Sequence, residues 1–270
     1  MTFEVLNLKD SVGSEIRTDI ETLLTPEVAK RVRDVLIERG IVVFKALNLS
    51  EDQQRTLSGL MGTLRQEGEK GVIKITLDKS LNARADYLKG SWLWHIDGTH
   101  DDVPPFASLL TGITLSKIGG QTEFANCYAA YEALPAEMKQ RIDGLKVVHS
   151  FEVSMRNAGV EPTPETLGYW RSLPEKNHNL VWTHDTGRKS LVIGCSASHI
   201  AGMEKAEGQE LLQELLDWST QPRFVYRHEW TPGDLVIWDN TGVLHRAEPY
   251  PIDSGRVMRR TTLVGEEAFA

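Results

Sequence analysis

The chain of 270 residues has only two cysteines, Cys127 and Cys195, with no CxxC spacing. That scarcity excludes a disulfide framework and a structural zinc cluster, and both thiols are expected as reduced core side chains. There is also no uninterrupted apolar run of membrane-spanning length. The opening stretch MTFEVLNLKDSVGSE carries acids where a signal peptide needs a basic flank and an apolar segment. A cytoplasmic protein with no membrane partner is expected. Basic residues are in deficit, 30 Lys plus Arg against 38 Asp plus Glu, for a formal charge of −8. Such a field repels phosphate backbones and anionic lipid, which removes nucleic acid from the expected partners. Proline (11) and glycine (22) stand at ordinary levels, so collagen-like and low-complexity classes are excluded as well. What is present, 40% hydrophobic and 25% charged residues, describes a globular chain able to bury a sizeable core.

Thr25-Pro26, then Val28, Val32, Val35 and Leu36, then Gly40 supply a cap, a first-turn proline, helical apolar spacing and a terminating glycine. Ile41-Val42-Val43-Phe44 reads as a buried strand. Ser50 with Gln53 makes a capping box for a second helix with Leu57, Leu60, Met61 and Leu64 on its apolar face. Residues 65–91 alternate weakly and read as a lid or substrate loop with short strands. Beyond them, β-rich runs at 106–115, 145–151, 190–193, 223–226, 234–238 and 257–264 are separated by turns and by helices near 135–143 and 203–219. The runs do not alternate strictly with helices. A mainly β, α+β fold is therefore expected, an antiparallel sandwich or jelly roll with flanking helices in one domain spanning 1–270.

Eight histidines are the natural place to look for chemistry, because imidazole is both the commonest metal ligand and the commonest acid–base group. His95 and Asp97 form His-x-Asp, and on a strand such a pair faces one way and can converge on one ion. A second pair, His100 and Asp102, lies in a polar loop ending at Pro104-Pro105 and reads as a solvated turn. The first lies in the apolar run Ser91-Trp92-Leu93-Trp94-His95-Ile96-Asp97, which suits a buried strand end. His245 follows the run Pro232 to Asn240 and is expected at a strand start. Two histidines and a carboxylate on one face of a metal leave adjacent positions open, as Fe(II) oxygenases require; zinc is the rival ion. His149, His178, His184, His199 and His228 are assigned to core or surface, and Trp92, Trp94 and Trp238 to core packing.

Four segments carry a resemblance: Trp94 to Thr99, Gly119-Gly120-Gln121-Thr122-Glu123-Phe124, Trp238-Asp239-Asn240 through His245, and Arg256 to Thr262. In this order and spacing the chain resembles the taurine dioxygenase and 2,4-dichlorophenoxyacetate dioxygenase (TauD/TfdA) family from Thr25 to its final strand. The resemblance implies a double-stranded β-helix, or cupin-like jelly roll, with Fe(II) on His95, Asp97 and His245 and with 2-oxoglutarate and O2 as cosubstrates. It implies that Arg256 grips the distal carboxylate of 2-oxoglutarate, with Thr122 adding a hydroxyl donor, and that Arg260 receives the anionic group of the substrate. A guanidinium suits that duty because it binds carboxylates in a planar fork and stays charged. On a strand Arg256 and Arg260 share a face roughly 13 Å apart at ~3.3 Å per residue. Arg259 then points the other way, toward a surface or interstrand salt bridge.

The implied reaction couples oxidative decarboxylation of 2-oxoglutarate, to succinate and CO2, with hydroxylation of a small to medium organic anion. Cleavage of a C–O, C–N or C–S bond, or desaturation, are variants of the same outcome. Retention of Asp97 speaks against halogenation, since the related halogenases give up that carboxylate. Ser91 and Met155 fall where the taurine enzyme has an amide and an aromatic ring, so both are candidate substrate-binding positions and taurine itself is disfavoured. Two other readings remain open on the residues alone: a non-catalytic binder of 2-oxoglutarate, and a zinc hydrolase with the same ligand set. Family members are commonly oligomeric, which implies a homo-oligomer.

Overall fold

A computed structural model of the chain describes residues 3–82 and 85–269. Thr25 and Pro26 begin the helix Pro26–Arg39, which stops at Gly40 in the left-handed conformation (φ 75°), where the glycine N–H returns to the Leu36 carbonyl at 2.7 Å. Val28, Ala29, Val32 and Leu36 are its buried stripe. The helix Glu51–Met61 carries the expected reciprocal capping box between Ser50 and Gln53. Leu64 lies beyond this helix, in an isolated bridge with Leu263. The buried face carries the polar Gln54 and Ser58 beside Leu57 and Met61.

These two helices cover one face of a seven-stranded sheet. Its order is Glu4–Asn7, Ser14–Arg17, Ile41–Phe44, Leu235–Asp239, Ala107–Thr114, Val257–Thr262, Ile73–Ile75, antiparallel except where Ser14–Arg17 meets Ile41–Phe44. The central strand Leu235–Asp239 is buried throughout because both its faces are covered. Leu235 and Ile237 join Val42, Phe44 and Leu109 under the helices. Val236 and Trp238 face inward with Phe124, Val243 and Met258. Opposite stands a three-stranded sheet with Thr122–Asn126 between Val225–His228 and Val243–Ala247, and the inner faces of the two sheets enclose the jelly-roll interior. A second three-stranded sheet, Ala197–Ile200, Lys146–His149 and Lys176–Asn179, packs with the helix Lys205–Ser219 in a further apolar cluster around Val147, Ile200 and Leu211.

Several elements differ from those the sequence suggests. The run 145–151 is a strand only to His149, after which Phe151–Asn157 is a helix. Helices Cys127–Glu132 and Pro164–Ser172 were not anticipated, although Thr163-Pro164 repeats the Thr25-Pro26 signal. Segment 65–91 contains the strand Ile73–Ile75 and the 3-10 helix Ala85–Trp92; its residues 83 and 84 lie outside the described residues. Among the described residues no helix is long and apolar enough to cross a membrane.

Candidate active site

His95 does not sit on a regular strand. It follows the 3-10 helix in an extended stretch and exchanges two backbone hydrogen bonds with His245, at 3.1 and 2.9 Å. Nor does His245 open a strand; it is the middle residue of Val243–Ala247. The backbone pairing sets the two imidazoles side by side, with ring centroids 4.1 Å apart. Asp97, two residues on, turns its carboxylate between them: Oδ1 lies 3.7 Å from His95 Nε2 and Oδ2 lies 3.7 Å from His245 Nε2. One donor atom from each of the three residues lies within 4.8 Å of the others. The His95 Nδ1–H donates to the Leu93 carbonyl at 2.8 Å, which turns Nε2 toward Asp97 and His245. His245 is braced by the Trp238 ring at 4.8 Å and the stacked Phe124 ring at 6.4 Å. Trp238 is itself fixed by donating to Asn240 Oδ1 at 2.7 Å.

The protonation states suit a cation. Burial, reinforced by His95, pushes the His245 imidazole down to about 3, so it is neutral and able to donate a lone pair near pH 7. Burial alone would raise the Asp97 carboxyl. The Arg260 guanidinium, then His245 and His95, outweigh it and bring the group to about 2. A half-buried carboxylate between two imidazoles is a donor set of the kind that divalent first-row metals occupy.

Beside these donors is a chamber of about 70 Å³ whose wall includes Leu110, Thr122, Tyr250, Arg256 and Arg260. Arg256 is 4% exposed, donates to the Gly120 carbonyl at 3.1 Å and lies over the Tyr250 ring at 4.7 Å. Burial lowers its pKa from the usual guanidinium value. Among the described residues no carboxylate pairs with it, and a buried cation without an anion is a costly arrangement that an incoming carboxylate would relieve. Gly120 (φ +82°) makes room, since a Cβ there would stand 3.0 Å from Arg256 Nε. Thr122 Oγ1 accepts from Trp230 Nε1 at 3.0 Å, which leaves its own proton to donate. Arg260 donates to Asp97 Oδ2 at 3.3 Å and also lines an outer cavity of about 820 Å³, with Ile73, Ile75, Leu81 and Leu88 among its walls.

The remaining expected residues divide. Ser91 lines the chamber, but its hydroxyl donates to the Leu88 carbonyl at 2.6 Å. Met155 is buried off the chamber wall, against Gly90. Among the described residues Arg259 makes no salt bridge; it donates to Gln54 Oε1 at 2.8 Å and the Leu49 carbonyl at 2.6 Å, because its face of the strand meets the helix Glu51–Met61. His100 is half-buried with Nδ1 unpartnered, not solvated, whereas Asp102 is exposed and bonds Lys176. His149, His178, His184 and His228 are core groups. Tyr250 and Gly120 were missed as site residues; the double glycine Gly119-Gly120 was the one available signal for the latter.

The family profile described as "Taurine catabolism dioxygenase TauD, TfdA family" matches residues 4–262. The chain is 35% identical over 277 residues to an alpha-ketoglutarate-dependent 2,4-dichlorophenoxyacetate dioxygenase of Burkholderia sp. (strain RASC), covering 94% of this chain and 91% of the relative. It is 30% identical over 278 residues to an alkylsulfatase of Acinetobacter baylyi, covering 97% and 85%. The crystal structure of AAD-2 in complex with Mn(II) and N-oxalylglycine superposes with a TM-score of 0.86 at 31% identity, covering 100% of both chains.

Proposed function

The chain belongs to the taurine catabolism dioxygenase TauD, TfdA family, and from that premise we propose how its residues share the reaction and what they act on. It is an Fe(II)-dependent oxidoreductase that couples decarboxylation of 2-oxoglutarate to oxidation of a small organic substrate. His95, Asp97 and His245 hold the iron; the observation that carries this is the convergence of their donor atoms within 4.8 Å beside Arg256, which has no acidic partner among the described residues. Iron and 2-oxoglutarate, when bound, supply the activation of O2 and the oxidation of a substrate C–H bond, with succinate and CO2 released. Arg256 binds the distal carboxylate of 2-oxoglutarate in its planar fork, and Thr122 donates a proton to an oxygen the fork leaves free. Leu110 and Trp238 exclude water from the reacting space.

Arg260 takes the anionic group of the substrate at the junction of the chamber and the outer cavity. The apolar walls at Ile73, Ile75, Leu81 and Leu88 accommodate an aryl or alkyl body, which a two-carbon sulfonate such as taurine lacks. Ser91 bounds the substrate from the chamber wall and Met155 acts only indirectly, by backing Gly90 from behind, and segment 65–91 is the lid over the outer cavity. The substrate is thus an amphiphilic organic acid or ester anion, and hydroxylation next to a heteroatom would cleave it. The charge of −8 opposes nucleic acid and anionic lipid as partners, and two free thiols fit a reducing cytoplasm.

The test is an anaerobic titration with Fe(II) and 2-oxoglutarate, followed by air and a panel of aryloxy- and alkyl-substituted carboxylates and sulfate esters with their neutral and cationic analogues. The parent should develop the visible charge-transfer band of the chelate and then yield succinate matched by an oxidised product. Asp97→Ala should lose both. A band that persists in Asp97→Ala would remove that residue from the ligand set, and turnover confined to neutral or cationic substrates would remove Arg260 from its role.

A further inference from the structure

Behind the three candidate ligands lies a buried polar series that none of these roles uses. Thr99, Ser196 and His149 are 3%, 6% and 0% exposed. Thr99 Oγ1 lies 3.0 Å from Ser196 Oγ, and Ser196 Oγ lies 2.9 Å from His149 Nδ1. A hydroxyl both donates and accepts, so Ser196 can serve the two neighbours at once. The Thr99 carbonyl accepts in addition from His178 Nε2 at 2.9 Å. Just before Ser196, the Cys195 N–H donates to the Trp94 carbonyl at 2.8 Å. Gly194 (φ +123°) runs so near that a Cβ there would meet the Trp94 oxygen at 2.8 Å and His95 Cα at 3.1 Å. Segment 194–196 therefore grips the ligand stretch on both sides of Asp97, at Trp94–His95 and at Thr99. Between Asp97 and Thr99 stands only Gly98, so Thr99 is the first side-chain anchor after the carboxylate.

We propose that Ser196 is a positioning residue for the metal: by joining Thr99 to His149 it fixes the backbone beyond Asp97 so that the carboxylate faces the two imidazoles before the ion arrives. This rests on the reading of His95, Asp97 and His245 as ligands. Ser196 and Thr99 line neither the chamber nor the outer cavity, so their loss removes no contact there. What is lost is pre-organisation. A carboxylate free to swing must be ordered at the moment of binding, and that cost appears directly as weaker affinity. Groups that orient metal ligands from behind typically change affinity about 10–100-fold.

The experiment titrates the full chain with Mn(II), reading the free ion by electron paramagnetic resonance, for the parent, Ser196→Ala, the near-isosteric Thr99→Val, the double variant and Asp97→Ala. Each single variant should raise the Mn(II) Kd about 10–100-fold. The double variant should bind no more than threefold more weakly than the worse single one, because both cut the same link. The visible spectrum of the Co(II) form should change in Ser196→Ala. Kd values within threefold of the parent in both single variants, with or without a lower melting temperature, would overturn the proposal, as would two losses that simply add. A parent that binds no Mn(II), or an Asp97→Ala variant that binds it like the parent, would bring down the ligand reading itself and this inference with it; either result is visible without the Ser196 variants.

Discussion

Arg256 and Arg260 stand four residues apart on the chain and meet different fates. Arg256 is buried against Tyr250 and Gly120 with no acidic partner among the described residues, whereas Arg260 already leans on Asp97. Their truncations should therefore separate. Removing a desolvated charge from an anion pair costs about 2–5 kcal/mol, so Arg256→Ala should weaken 2-oxoglutarate binding by at least about 30-fold. Arg260→Ala should leave that affinity within a few-fold while uncoupling succinate formation from substrate oxidation. Isothermal titration with 2-oxoglutarate under anaerobic Mn(II), alongside succinate-to-product ratios, distinguishes the two; the opposite pattern would mean the arginines have exchanged roles. That these residues would be brought together was readable in their order, because the motifs at Trp94–Thr99, Thr122 and Arg256–Thr262 recur at fixed spacing. Tyr250 was not. It lies in no regular element, and its contact with Arg256 exists only once the chain has folded.

At the scale of elements, legibility followed whether the signal was local. The helix Pro26–Arg39 has its cap, proline and glycine in the sequence, and Leu235–Asp239 reads as a continuous apolar run because helices cover one face and the interior the other. Phe151–Asn157 gave no such signal, since Ser150 makes no side-chain capping bond and the preceding strand runs almost into it. The stretch at His95 reads as a strand in the sequence for a related reason: its single pairing partner is His245, far along the chain, and local alternation cannot reveal a bridge of one residue pair. Where the signal was local, its energetic weight can be tested. Ser50→Ala removes one half of the capping box of Glu51–Met61, whose Leu57 and Met61 sit under the main sheet. A lost cap costs ~1 kcal/mol, so the melting temperature should fall by about 2–4 °C with metal affinity unchanged. An unchanged denaturation midpoint would show that the helix is held by packing alone.

For the molecule as a whole, the buried histidines set the response to acid. Burial, then the neighbouring His178 and His100, pushes His149 down to about 3, and burial moves His178, His184 and His228 in the same direction. In the unfolded chain a histidine titrates near 6.5. Between these values the unfolded chain takes up protons that the fold refuses, so stability is complete above pH 6.5 and declines as the pH drops. The slope is about 1.4 kcal/mol per pH unit for each fully shifted group. Urea midpoints of the metal-free protein should be level from pH 8 to 7 and fall from 6 to 5, with a shallower fall in His149→Gln; a flat profile to pH 5 would show that these imidazoles are protonated in place. The backbone bridge between His95 and His245 has a consequence of another kind. A growing polypeptide offers the first imidazole long before the second, so the two rings come together only once the strand Val243–Ala247 has been made and paired. A cation that needed both rings would thus meet a chain already folded at that pair.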